Sequence, residues 1–362
     1  MKVILNGATA GTNFGDFLFA KMFQEFVAEK VGFENVYWYR TRFSMSDFYE
    51  KRLNNPNRDR VKNMDALVYI SGGYFCGHDR DVRDRIYRVL RYFIVGLKCI
   101  RHKIPYAVIG LEVGEPKQKW LRYIEKKILK NAQTIVVRNE ESLACLNSHG
   151  INDAILTTDS AFSIRPSFFE GMTIPSEIED CQKKILLFHV NPGVSGNVDL
   201  EEKVVPIVNA FLKNHPEYAV LVTADQFSPY QGEALDRVCD KLECEQKIKY
   251  YYEDPIALCK VINCADTVVT HKLHVGIVGA RLGKSVISFS GHTEKIQRLY
   301  HQLGEDGRSA PLSTLCFEQG YDMLEKYYDK PINVSEDIRA EAQSNFSYLS
   351  EFLCKVERNK KS

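Results

Sequence analysis

Val3-Ile-Leu-Asn-Gly7-Ala-Thr-Ala-Gly11-Thr-Asn13-Phe-Gly15-Asp16 opens the chain, and its reading decides the fold. Val3–Leu5 is a short apolar strand that Asn6-Gly7 breaks, and from Asp16 the residues Phe19, Phe23, Phe26 and Val27 recur at helical spacing as far as Val31. A strand, a glycine-rich loop and a helix form the repeating unit of a parallel α/β sheet. Outward from this unit the succession continues. Val36–Tyr39, Ala66–Ser71, Tyr106–Ile109, Thr134–Val137 and Ala154–Thr157 read as strands. Val82–Arg101, with many arginines on its outer face, Lys117–Lys130 and Glu140–His149 read as helices. Residues 166–183, with two prolines, read as a linker, and then the pattern restarts. Lys184–His189, Ala219–Thr223, Ile248–Tyr251, Thr267–Thr270 and Ser285–Ser290 are strands separated by helical stretches, and 335–360 closes the chain as a polar helix. The expected fold is α/β, with two Rossmann-like domains facing across a cleft: residues 1–175, residues 176–330, and a helical tail over 331–362. In open α/β sheets ligands sit beyond the carboxyl ends of the strands, so the cleft is the expected site.

Composition agrees and excludes several classes. A chain of 362 residues exceeds what one hydrophobic core usually serves. Lys and Arg number 48 against 47 Asp and Glu, and this net +1 gives no support to a nucleic-acid or membrane partner held by bulk charge. Apolar residues at 44% and charged residues at 26% are ordinary globular values. No stretch approaches the roughly 20 apolar residues of a transmembrane segment, and the start does not read as a signal peptide. The ten cysteines are scattered without zinc-ligand spacing, which suggests free thiols in a reducing compartment. No metal site is expected. Asn333-Val-Ser335 and Asn345-Phe-Ser347 match a glycosylation pattern by chance.

Candidate chemistry lies at strand ends. In Asn13-Phe-Gly15-Asp16, glycine lets backbone N–H groups approach an anion at a helix start, while Asp16 is either an N-cap or a substrate contact. Ser71-Gly72-Gly73 follows a strand as a tight turn or a ligand loop. Arg138 ends a strand, either to grip an anion or to pair with an acid of a nearby helix. Thr270-His271-Lys272-Leu273-His274 is the densest group: a Lys and two imidazoles at a helix N-terminus make an anion site with proton donors. His292 and Lys295 add an imidazole and an ammonium after the next strand. Tyr37-Trp38-Tyr39 and the aromatics of 43–49 either stack on sugar faces or pack internally.

In this order the motifs resemble those of the polysaccharide pyruvyl transferase family. The match runs through Asn13-Phe-Gly15-Asp16, Ser71-Gly72-Gly73, Val137-Arg138-Asn139-Glu140-Glu141-Ser142 with Leu146 and Gly150, Asp159-Ser160-Ala161-Phe162, Lys272-Leu273-His274 and Lys295. Lys272 stands where the family has Arg and Asn139 where an acid is usual; Lys keeps the charge but not the bidentate fork. The resemblance implies a fold similar to B-type glycosyltransferases and transfer of the enolpyruvyl unit of phosphoenolpyruvate to a sugar. The product would be a pyruvate ketal on a surface polysaccharide or its lipid-linked precursor. It places the sugar acceptor on the N-terminal half and phosphoenolpyruvate, the donor substrate, on the C-terminal half, with no cofactor. Arg138, Lys272 and Lys295 then hold phosphate and carboxylate, His274 or His292 is the acid, and Asn13, Asp16, Gly72 and Gly73 contact substrate. Asp16 and His189 are candidate bases. A bacterial cytoplasmic setting, including the inner membrane face, follows from the family. A B-type glycosyltransferase using a nucleotide sugar, with Glu253 or Glu294 on the ribose, and a non-catalytic carbohydrate-binding relative are the competing readings.

Overall fold

The computed structural model describes residues 1–39, 45–77, 81–191, 198–291 and 293–361. They form two compact units, Met1–Thr12 with Asp16–Ser163 and Asp337–Ser362, and Asn13–Gly15 with Ile164–Glu336. The first unit holds β1 (Val3–Asn6), β2 (Val36–Tyr39), β3 (Arg58–Asp59), β4 (Ala66–Tyr69), β5 (Gly72–Phe75), β6 (Tyr106–Val113), β7 (Thr134–Val137) and β8 (Ile155–Leu156). They make one parallel sheet in the order β3-β2-β1-β4-β6-β7-β8, with β5 on the distal part of β6. The second unit holds β9 (Lys184–His189), β10 (Tyr218–Thr223), β11 (Lys247–Tyr250), β12 (Thr267–Thr270), β13 (Ser285–Ser290) and β14 (Ser309–Pro311), in the order β11-β10-β9-β12-β13-β14 and parallel throughout. Counted from β9, this is the doubly wound order 3-2-1-4-5-6, whose direction reverses between β9 and β12; the corresponding reversal in the first unit lies between β1 and β4. Central strands such as β1 and β9 are covered on both faces, which is why Val3–Leu5 and Ile185–Phe188 are continuous apolar runs rather than alternating ones.

The helices that matter below are α1 (Phe14–Val31), α2 over 82–102, α3 (Lys119–Lys130), α4 (Glu140–Ser148), α5 (Leu273–Arg281), α6 (Thr293–Gln302) and α7 (Glu336–Lys361). Three features depart from the sequence reading. Gly72 and Gly73 are neither turn nor loop: they begin β5, and Gly72 pairs with Leu111 of β6. α2 is α-helical over Val82–Arg88, π-helical over Val89–Phe93 and α-helical again over Ile94–His102, and Arg88 is buried, so not all its arginines lie on the outer face. The segment 331–362 is not a separate tail. α7 belongs to the first unit, where Phe346 packs 5.1 Å from both Phe23 and Phe26, and buried Asn345 donates to the Thr158 carbonyl at 3.1 Å. That burial leaves the Asn345 amide no access to a glycan.

Candidate functional site

In the second unit the chemistry gathers where the sheet order reverses. His189 ends β9, Asp225 follows β10, and His271 and Lys272 follow β12. Asp225 Oδ1 lies 3.2 Å from His189 Nε2 and 3.8 Å from Lys272 Nζ, and Oδ2 accepts from Asn13 Nδ2 at 3.5 Å. The Phe14 amide donates to the Asp225 carbonyl at 2.9 Å, fixing the Asn13 segment on this loop. His189 and His271 share a hydrogen bond of 3.2 Å between their Nδ1 atoms. Burial opposes the Asp225 charge, yet Lys272 and His189 hold its carboxyl well below the usual range. Burial first, and then His189 and Lys272, push His271 well below an ordinary imidazole. The site therefore keeps a neutral His271 behind a charged Asp225.

Lys272 occupies the N-cap position of α5 and its own side chain makes no capping hydrogen bond, so its ammonium stands beside the positive end of the helix dipole. His274 follows in the first turn, half-buried. A Cβ on Gly15 would overlap the His274 ring, so glycine in the Asn13-Phe-Gly15 motif gives this imidazole its room. The adjacent strand end is tied in by Ser290, whose hydroxyl donates to the His271 carbonyl at 3.2 Å, and half-buried Lys295 lies in the first turn of α6 beyond it. His292 lies outside the described residues.

Arg138 belongs to the first unit and has a different environment. Its Nη1 meets Asp159 Oδ2 and its Nη2 meets Glu112 Oε2, each at 2.7 Å, with all three side chains about nine-tenths buried. Burial alone would lower the guanidinium; Asp159 and Glu112 together raise it. The partners come from β6 and from the segment after β8, not from a nearby helix. Asp159 also accepts from the Ala161 amide at 3.0 Å, and Ser160 bonds Ser71 at 2.9 Å. A Cβ on Gly110, whose φ is +66° at an irregularity of β6, would overlap the Ser71 hydroxyl. Three sequence motifs thus close into one buried polar network. Asn139 serves as the N-cap of α4, accepting from the Ser142 amide at 2.9 Å, a task Asn performs as well as Asp.

The first unit also carries a pocket of about 190 Å³ at the carboxyl end of its sheet, lined by Gly73, Tyr74, Tyr87, Arg88, Arg91 and Tyr92 among others. Tyr74 and Tyr92 stack with centroids 4.4 Å apart, and the Arg91 guanidinium lies 5.1 Å from the Tyr87 ring centre. Arg88 donates to the Tyr74 carbonyl at 2.9 Å and faces buried Glu125 at 3.7 Å. Asp16 is close enough to add to the rise of the Tyr92 hydroxyl, which burial carries to about 12, and to that of Tyr74. Asn13, Lys272 and His274 therefore share one site in the second unit, whereas Gly73 and Asp16 adjoin a pocket in the first. Trp38 and Tyr39 are buried in the sheet, and Trp38 donates to Gln24 at 2.8 Å.

The sequence reading missed Asp225, Glu112, Tyr87, Arg88 and Arg91. Asp225 had a usable signal, because it stands two residues beyond a strand whose end at Thr223 was legible. Glu112 had none, because its strand continues past Gly110, where a glycine reads as a stop. Among the described residues no group of three or more His, Cys, Asp or Glu could hold a metal, and no helix is long and apolar enough to cross a membrane.

Two parallel α/β sheets of this order, each with polar residues at its reversal point, define a GT-B-like protein. The structural comparisons agree. The UDP-GlcNAc 2-epimerase of Neisseria meningitidis bound to UDP-GlcNAc covers 98% of this chain and 100% of its own at 13% identity and a TM-score of 0.65. S. aureus MnaA with UDP covers 98% of both chains at 10% identity and 0.61. The spinosyn forosaminyltransferase SpnP covers both chains fully at 9% identity and 0.53. At these identities the likeness is one of fold. The family follows from the sequence: the polysaccharide pyruvyl transferase model matches residues 13–293, and the chain belongs to that family. No curated protein matches it.

Proposed function

We propose that the protein transfers the enolpyruvyl unit of phosphoenolpyruvate to a sugar and closes it as a pyruvate ketal. The observation that carries this reading is the first turn of α5, where Lys272 and His274 stand together at the reversal of the second sheet. Phosphoenolpyruvate brings a phosphate and a carboxylate, and a helix N-terminus with an ammonium favours such anions. Lys272 and Lys295 hold these groups. His274 delivers a proton to the methylene carbon, and C2 gains oxocarbenium character. A sugar hydroxyl then attacks C2 and gives up its proton, and the C2–O bond to phosphate breaks with its electron pair leaving on phosphate. A second hydroxyl of the same sugar closes the ketal, and its proton leaves with the phosphate. Asp225 and His189 hold the cationic side, keeping Lys272 in place without neutralising it fully. Arg138 is assigned to positioning, since two carboxylates already occupy its fork.

The acceptor is assigned to the pocket of the first unit. Its volume is below the roughly 300–1,000 Å³ of drug-sized ligand sites and suits one ring better than a nucleotide. Tyr87 offers a stacking face and Arg91 a donor, and Asp16 is the base we assign to the first hydroxyl.

Calorimetric titration with phosphoenolpyruvate tests the donor. Binding that disappears in Lys272→Ala supports the reading, with phosphate release as the readout in an acceptor search. The competing reading is a nucleotide-sugar enzyme, favoured only by the UDP ligands named for the structural neighbours. Silence toward phosphoenolpyruvate at millimolar concentration, with a clear response to a UDP-sugar, would put that reading first.

A further inference from the structure

We infer that the exposed face of α3, together with the N-terminal turns of α2, docks on an anionic lipid bilayer. α3 turns Leu121, Ile128 and Leu129 inward, and the opposite face exposes Trp120 to 50% and Tyr123 to 68% of their areas. Around these aromatics Lys119, Lys127 and Lys130 are exposed and Lys126 is half-buried. The acid of this helix, Glu125, points inward and meets Arg88, so it does not compensate the outer lysines. Exposed Glu115, just before the helix, is paired with Arg122 at 2.9 Å. The chain as a whole carries only +1, so this charge is a local concentration and not a consequence of bulk composition.

α2 extends the surface. Arg88 faces Glu125, and a Cβ on Gly96 would press on Ile128, so the two helices run side by side in the same sense. The first turns of α2 then lie at the Trp120 end of α3, and they expose Val82 at 59% and Ile86 at 52%. Two aliphatic side chains, a Trp, a Tyr and flanking lysines are what an interfacial helix pair needs. The rings sit at headgroup depth, the aliphatics reach the acyl boundary, and the lysine stems extend toward phosphates. Exposed Val and Ile would gain nothing on a nucleic-acid backbone, which is why lipid is the occupant the residues favour. Tyr87 and Arg91, which line the pocket of the first unit, are on the same α2 helix, so a sugar carried on a lipid would be presented where that pocket opens. This last link rests on the function proposed above, but the docking surface does not.

Co-sedimentation of the full chain with vesicles tests the surface. The comparison is phosphatidylcholine alone against phosphatidylcholine with phosphatidylglycerol, each at low and high salt. Binding to the anionic vesicles only, weakened by salt, is expected. The triple change Lys126→Glu, Lys127→Glu, Lys130→Glu should lower partitioning by about 100-fold or more. Trp120→Ala with Tyr123→Ala should lower it by about tenfold while leaving the salt dependence in place. Lys213→Glu, in the second unit, should change nothing. Melting curves and the phosphoenolpyruvate titration, run on every variant, separate misfolding and failure of the functional reading from failure of the surface. No binding, equal binding to neutral vesicles, or binding indifferent to the α3 changes would overturn the proposal. So would competition of an RNA oligonucleotide for the same lysines without any vesicle binding.

Discussion

Arg138 and Lys272 both stand just past the carboxyl end of a parallel strand, β7 in the first unit and β12 in the second, and are used differently. Each follows a parallel strand and precedes a helix, the position from which open α/β sheets address ligands. Arg138 has a carboxylate on each arm and is about nine-tenths buried. Lys272 has a 3.8 Å approach to one carboxylate, which it shares with His189 and Asn13, and its side chain keeps 30% of its exposure. A cation at a strand end is therefore not by itself a ligand site, and the number of acids around it decides. In the first unit the charge binds the Asp159 segment to β6 and, through Ser160, to Ser71. In the second the positive character is left incompletely matched.

The largest effect that tests this contrast is on turnover. His274→Gln should reduce it by about 10²–10⁴-fold, the range of a lost general acid, while calorimetry finds phosphoenolpyruvate affinity changed only a few-fold. Near-normal turnover would remove His274 from the chemistry. Next comes stability at Arg138. Arg138→Met removes the guanidinium that buried Glu112 and Asp159 share and should cost about 3–5 kcal/mol in denaturant unfolding, and adding Glu112→Gln should recover part of it. Unchanged stability with lost donor binding would break the comparison and return Arg138 to the ligand. Gly15→Ala is smaller. The added methyl competes with the His274 ring, with an overpacking cost of about 1–3 kcal/mol and a fall in turnover that exceeds any fall in donor affinity.

Much of the architecture was legible because the sheets are buried on both faces. β2, β7, β9, β12 and β13 coincide with the apolar runs that mark them, since a strand covered twice needs no alternation. Strands that escaped are those whose pairing is set from elsewhere. β3 is two residues long, β14 ends in proline, and β5 begins with two glycines whose only argument for a strand is β6 beside them. α7 was seen as a helix but not placed, because its polar face dominates the composition while Phe346, Leu349 and Phe352 supply the buried stripe. At the sites, residue types at strand ends were readable and partners were not. Nothing near Arg138 in sequence announces Glu112, 26 positions away, or separates it from Lys272.

The smallest effect, and the sharpest on mechanism, is in acid. His271 is pushed below its ordinary value of 6.5, so the folded state resists a proton that the unfolded chain accepts. Its contribution is complete above that value and is lost as pH falls below it toward the depressed folded value. Asp225 is depressed in the same direction from 3.8, so its own contribution persists until pH falls below the ordinary carboxylate range. Between pH 7 and 5 the two separate: thermal stability should fall with acid, and His271→Asn should flatten that dependence. Asp225→Asn should carry the fall on to lower pH, because the carboxylate is the group that favours a proton on His271 against the push of His189 and Lys272. The Arg138 network contains no imidazole and an Arg whose charge is reinforced, so Arg138→Met should lower the whole curve without changing its slope in this window. Parallel curves for Arg138→Met and diverging curves for Asp225→Asn would show that the first unit's charges are fixed and the second's are free to respond. The reverse pattern would mean the roles of the two strand ends are exchanged.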